Sequence, residues 1–120
     1  MATDLETKAS QRKLRELASL AYRRELGAEL ARLEAQFARW RSGEIDPFEL
    51  SDEIHRFHDG VSRELYNLYR NLPPHQSVPR ALARKILQEA DVPPELLAAL
   101  ESTVQFFRDF KTEPAEPDED

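Results

Sequence analysis

Proline first occurs at position 47, and over most of the stretch before it apolar side chains return at helical spacing. Leu14, Leu17, Leu20 and Ala21 form one set. Leu26, Leu30, Leu33, Phe37 and Trp40 form a second, spaced 4-3-4-3 like the seam of a coiled coil. A chain that starts this way is committed to a long first helix. The sequence predicts it over 3–41, opened by a capping box in which Thr3 caps the first amides and Glu6 reaches back. The two apolar sets do not share one register, which predicts a stutter or bend near Arg23 to Gly27. Ser42-Gly43 provides the stop, because glycine accepts the left-handed backbone that follows a helix end.

Asp46-Pro47-Phe48-Glu49 opens the next helix: Asp46 as cap, Pro47 in the first turn, Glu49 as the returning acid. That helix, predicted over 47–71, places Leu50, Ile54, Phe57, Val61, Leu65, Leu68 and Leu72 within an arc of roughly 80°. His55, His58, Ser62, Tyr66 and Tyr69 widen this face to nearly half the circumference, which predicts a central helix covered on more than one side. On the far side, Asp52 and Asp59 stand four residues ahead of Arg56 and Arg63, the favourable order for exposed ion pairs. Gly60, inside this helix, is expected at a close helix crossing.

Pro73-Pro74 ends the second helix. Two shorter ones are predicted from Ser77-Val78-Pro79 and Asp91-Val92-Pro93, each a capping residue with an early proline. The first offers Leu82, Ile86 and Leu87 to a core. The second offers Leu96, Leu97, Leu100, Val104, Phe106, Phe107 and Phe110, a face wide enough for burial on two sides or for an interface. The first helix would be roughly 58 Å long and the second roughly 37 Å. The hairpin therefore leaves Leu14 to Ala21 uncovered unless the short helices, or a second chain, pack there. Gly27, Ala31 and Ala35 add a smooth ridge at i, i+4 and i+8 that lets another helix come close.

The net charge is −6, but five of the acids (Glu113, Glu116, Asp118, Glu119 and Asp120) crowd the last eight residues. Without them 17 basic residues meet 18 acidic ones. Residues 3–42 carry a net +3 and residues 43–112 a net −4, as expected of two parts that pack together. Nucleic-acid binding through Arg12, Lys13, Arg15, Arg23 and Arg24 is disfavoured, since Glu16, Glu25 and Glu29 interleave with them. The chain has no cysteine, hence no disulfide or thiolate metal site, and no apolar run that predicts a membrane span or secretion signal. A cytoplasmic location is the simplest expectation.

Few residues suggest chemistry. Asp52, His55 and Asp59 share a helical stripe with His58 beside them, and imidazole with carboxylate at such spacing can hold a divalent metal. His58-Asp59 is also the doublet that names the HD phosphohydrolases, although the further ligands of that family lack counterparts here. Arg70 and His75, five residues apart, resemble the Arg-x4-His signature of the HEPN nucleases, small helical RNases that act as dimers. The resemblance spans six residues and implies an arginine that clamps phosphate beside a histidine acting as base. Pro73 and Pro74, between the two, depart from the single helix that carries both residues in that family.

The reading as a whole is an all-α fold: a long helical hairpin plus two short helices, bundle-like, in one domain over 1–112, with a disordered acidic tail over 113–120. The function expected first is a non-catalytic interaction or oligomerisation module without a cofactor. Its partner is an unidentified protein or a second copy, through Leu14, Leu17, Ala21, Gly27, Ala31 and Ala35 on the first helix. The alternative is a small hydrolase, RNase-like through Arg70 and His75 or metal-dependent through Asp52, His55, His58 and Asp59.

Overall fold

The computed structural model describes residues 4–110. Thr3 and the acidic segment 113–120, for which a cap and disorder were expected, lie outside them. Five α-helices run in order: α1 (Lys8–Arg41), α2 (Pro47–Arg56), α3 (Arg63–Asn71), α4 (Pro74–Ala83) and α5 (Pro94–Phe110). A π-helical turn, Phe57–Ser62, joins α2 to α3, and a short 3-10 turn, Glu89–Asp91, precedes α5. Among the described residues there is no strand, and no helix is long and apolar enough to cross a membrane. The fold is all-α.

The start of α1 corrects the sequence reading. Thr7 is the cap: its hydroxyl accepts from the Ser10 amide at 3.1 Å, and its carbonyl accepts from Gln11 at 2.9 Å. Asp4 instead makes a local turn, taking the Glu6 amide at 2.8 Å. From Lys8 the helix continues through Arg23 to Gly27 without a break, so the change of apolar register is absorbed within a continuous helix. It ends as expected at Gly43, whose φ of +86° carries the left-handed residue of a Schellman motif. Glu44 N–H bonds the Arg39 carbonyl at 2.8 Å and Gly43 N–H bonds that of Trp40 at 3.1 Å.

The chain divides into two compact units, with α1 contributing to both. One comprises the chain through Ala21 together with Leu72 onward. Its core contains Leu14 and Leu17 from α1, Val78 and Leu82 from α4, Leu87 from the connection, and Leu96, Leu100 and Val104 from α5. Leu14, Leu17 and Ala21 are 0%, 3% and 0% exposed. This chain's own residues therefore cover the part of α1 that the hairpin alone would have left bare.

Helix α4 begins at Pro74, with Pro73 as its extended cap, and not at Ser77 as expected. The Pro73 carbonyl accepts from Gln76 and Ser77, which sets the cap four residues ahead of the expected one at Ser77. Pro79 then falls inside the helix. It removes one donor from the ladder, but its ring is fully buried, and that apolar burial offsets the loss. Lys85 occupies the left-handed position after α4 at φ 63°, again in a Schellman pattern: Ile86 N–H to the Ala81 carbonyl at 2.8 Å, Lys85 N–H to that of Leu82 at 3.1 Å. Helix α5 is capped at Pro93, whose carbonyl accepts from Leu97, while Asp91 turns back to bond the Gln88 amide at 2.8 Å.

The other unit, Tyr22–Asn71, is a hairpin of the second half of α1 against α2, the π turn and α3. The Asp46 box forms as read: Glu49 N–H to Asp46 Oδ1 at 2.8 Å, and Asp46 N–H to Glu49 Oε1 at 2.9 Å. The rest of this element departs from the prediction. The backbone stays right-handed from Pro47 to Asn71, but the π turn alters the angular step midway and spreads the expected apolar arc. Leu50 and Leu65 are buried, while Ile54 is 39% exposed and Tyr66 51%. A helix covered on several sides is thus replaced by one covered mainly on one side.

Gly60 sits in the π turn, and a methyl group built on it meets nothing within 4 Å. It does not mark a helix crossing. Gly60→Ala is therefore expected to stabilise the hairpin by about 0.5–1 kcal/mol through helix propensity, seen as a higher denaturant midpoint at unchanged slope. A loss of stability would mean that the turn depends on glycine for a reason other than space.

Candidate interaction surface

Residues of α1 beyond Ala21 sort into two faces. Tyr22, Glu25, Leu26, Glu29, Leu33, Gln36 and Phe37 are half-buried and turn toward the hairpin. At 100° per residue they centre near the direction of Tyr22 and Leu33. A ring stack and a hydrogen bond join the helices of the hairpin on this face. The Tyr22 and Tyr69 rings stack at 4.9 Å with planes 13° apart, and Tyr69 Oη donates to the Glu25 carboxylate at 2.7 Å. Sequence spacing does not reveal this cluster. It places Tyr69 only on the widened face of the second helix beside Tyr66, and Tyr66 is exposed.

The two flanks of the hairpin differ in chemistry. One carries a shallow groove of about 320 Å³ in which Glu29, Arg32, Gln36, Glu53 and Arg56 surround Leu33, Phe57 and Val61. Its charges are satisfied locally. Arg32 pairs with Glu29, and Arg56 Nη2 reaches Glu53 at 2.7 Å, so the carboxylate raises the guanidinium pKa above its ordinary value. The expected Asp52–Arg56 bridge is thus displaced by an i, i+3 pair from Glu53. Asp59 and Arg63, the other expected pair, form no ion pair among the described residues.

The other flank, on α1, is different. Arg23, Gly27, Leu30 and Glu34 recur at 4-3-4 spacing within an arc of roughly 60°. All four are exposed, Leu30 at 47%. A methyl group built on Gly27 meets nothing within 4 Å. Arg23 and Glu34 have no hydrogen-bond or ion-pair partner among the described residues, unlike Glu29, Arg32, Arg39 and Glu44, which are all paired. Ala31 and Ala35 continue the same open side. Of the six interface candidates, then, Gly27, Ala31 and Ala35 are open to solvent. Leu14, Leu17 and Ala21 are sealed in the core of the first unit, and their apolar character serves folding.

The residues of the catalytic alternatives occupy exposed positions. Asp52, His55, His58 and Asp59 are all exposed. No three His, Asp or Glu side chains among the described residues gather to hold a metal ion. Arg70 and His75 stand on different helices, Arg70 in the last turn of α3 and His75 in the first turn of α4, with the cap Pro73 between them. Arg70 instead donates to Tyr66 Oη at 3.0 Å and lies 5.7 Å from that ring's centroid. The one-helix geometry of an Arg-x4-His nuclease is therefore not formed. Of the basic candidates, Lys13 is engaged by Glu16 at 3.7 Å.

The first unit holds a groove of about 660 Å³ where the end of α4 and the 3-10 turn meet α5. Leu82, Leu87 and Val104 give it an apolar floor, and exposed Lys85, Glu101 and Arg108 border it. Its charges are mixed, without the convergent polar set that orients a substrate. In comparisons with known proteins, no family model, no curated protein and no solved structure matches this chain.

Proposed function

We propose that the chain is a helical protein-protein interaction or oligomerisation module that binds through the exposed side of the Tyr22–Asn71 hairpin. The observation that carries this reading is the hairpin's uneven burial. Only Ile45, Leu50 and Leu65 are buried within it, whereas Leu30, Trp40, Phe48, Ile54 and Tyr66 all remain between 39% and 81% exposed. A two-helix element that leaves this many large apolar side chains in water gains stability from association. The open small-residue side of α1 supports the same reading, since it permits close helix approach.

The test is a double substitution on the open side. Leu30→Glu with Ala31→Glu is expected to weaken association at least tenfold while leaving helix content unchanged, because both positions are exposed. Light scattering over about a hundredfold concentration range follows self-association, and chemical cross-linking follows association with other chains. His55→Ala and His75→Ala should leave association intact. Association that survives the double substitution would refute the reading. A hydrolytic activity lost specifically in His75→Ala would put an enzyme in its place.

A further inference from the structure

The outward stripe of α1 has a property that a generic sticky surface lacks: it is complementary to itself. Its order is Arg23, Gly27, Leu30, Glu34, a cation at one end, an anion at the other, and a large and a small residue between. Turn a second copy of the helix end for end about the midpoint between Ala28 and Glu29. Arg23 then stands level with Glu34 of the second copy, and Leu30 level with Gly27 of the second copy. Each charge meets its opposite and each large side chain meets the gap left by a missing one. A parallel two-fold pairing would set Arg23 against Arg23 and Glu34 against Glu34. Sliding the antiparallel pair by one turn would separate both charge pairs. Only one register satisfies the stripe.

We infer that the partner of this surface is a second copy of the same chain, docked antiparallel along α1, with Arg23 of each copy on Glu34 of the other and Leu30 of each seated beside Gly27 of the other. This rests on the module reading above and gives it an occupant and a register. Two observations, independent of the small-residue ridge, support it. Arg23 and Glu34 are exposed and have no partner among the described residues, whereas Glu29, Arg32, Arg39 and Glu44 of the same hairpin are paired. Leu30, at 47% exposure, is held out between them. Such a two-fold contact is self-matching, as closed dimers require. The stripe is short, about 17 Å of helix, so the dimer is expected at the weak end of specific association, dissociating in the micromolar range.

Charge reversal on the full chain tests the register. Arg23→Glu and Glu34→Arg are each expected to weaken the dimer by about tenfold or more, because each sets like charges face to face twice across the two-fold axis. Mixed together, the two variants should form a heterodimer. The acid introduced at position 23 of one chain then faces the base introduced at position 34 of the other, and the unaltered Glu34 and Arg23 face each other at the second contact. Carrying both reversals in one chain should restore the homodimer. The readout is molar mass by light scattering or sedimentation equilibrium, with circular dichroism confirming that both exposed-site variants stay folded. A dimer indifferent to both reversals but lost in Leu30→Glu/Ala31→Glu would overturn this register and leave the module reading standing. A dimer indifferent to all of them would overturn both. A wild-type chain that stays monomeric at high micromolar concentration would overturn self-pairing.

Discussion

Leu100→Ala is expected to cost about 3–4 kcal/mol of stability. Leu100 lies on α5 at 1% exposure, among the core residues of the unit that also contains Leu14 and Leu87. Removing three buried carbons forfeits their transfer free energy and leaves a cavity that packed helices fill only in part. A domain of this size has about 5–15 kcal/mol to lose, so the variant should melt about 10–20 °C lower. Thermal unfolding followed by circular dichroism checks this. A shift of only a few degrees would mean that α5 can slide to refill the space. Leu97→Ala, at a half-buried position on the same helix, should cost visibly less.

The second large effect belongs to the hairpin. Tyr69→Ala should lose about 2–3 kcal/mol, made up of the half-buried ring, its stacking on Tyr22 and the hydrogen bond to Glu25. Tyr69→Phe keeps the first two contributions and removes only the phenol donor, so it should cost about 1 kcal/mol. Chemical denaturation of both variants separates ring from hydroxyl. Equal losses would show that the stack contributes little and that the hydrogen bond to Glu25 carries the position. Because the cluster is half-buried, water can partly replace the phenol, which keeps the Phe variant's cost modest.

What the sequence made legible was local chemistry. The Asp46 box and the Gly43 stop were readable because cap and partner lie within a few residues and their geometry follows from residue type. The all-α class was readable for a related reason: long apolar periodicity with prolines confined to junctions leaves no room for strands. The start of α4 was misplaced because Ser77-Val78-Pro79 carries the same signal as a genuine helix start. The decisive bonds come instead from the Pro73 carbonyl, and the buried Pro79 ring compensates for its missing donor. The π turn left no trace in the apolar spacing, which from Leu50 to Leu72 is that of a regular α-helix.

For the candidate surface the limit was different. Periodicity shows which face of a helix is apolar but not what covers it. Leu14, Leu17 and Ala21 therefore looked as available as Gly27, Ala31 and Ala35, until the packing of α1 with residues beyond Leu72 separated them. Spacing does show that neither Arg23 nor Glu34 has an opposite charge three or four residues away on α1. That no other described element supplies a partner is visible only in the side-chain positions.

The π turn between α2 and α3 also acts as a phase adjuster. A regular helix turns about 100° per residue, so one residue more or fewer rotates everything downstream by that angle. A turn closed by i to i+5 bonds accommodates an extra residue without breaking the rod. A chain shorter by one residue between Phe57 and Ser62 could run as unbroken α-helix from Pro47 to Asn71. Such a chain would keep Tyr69 on the side of Tyr22 and Glu25, because the π turn already takes up the rotation of the extra residue. A change of one residue absorbed in this turn therefore alters length without altering which side of α3 the hairpin sees.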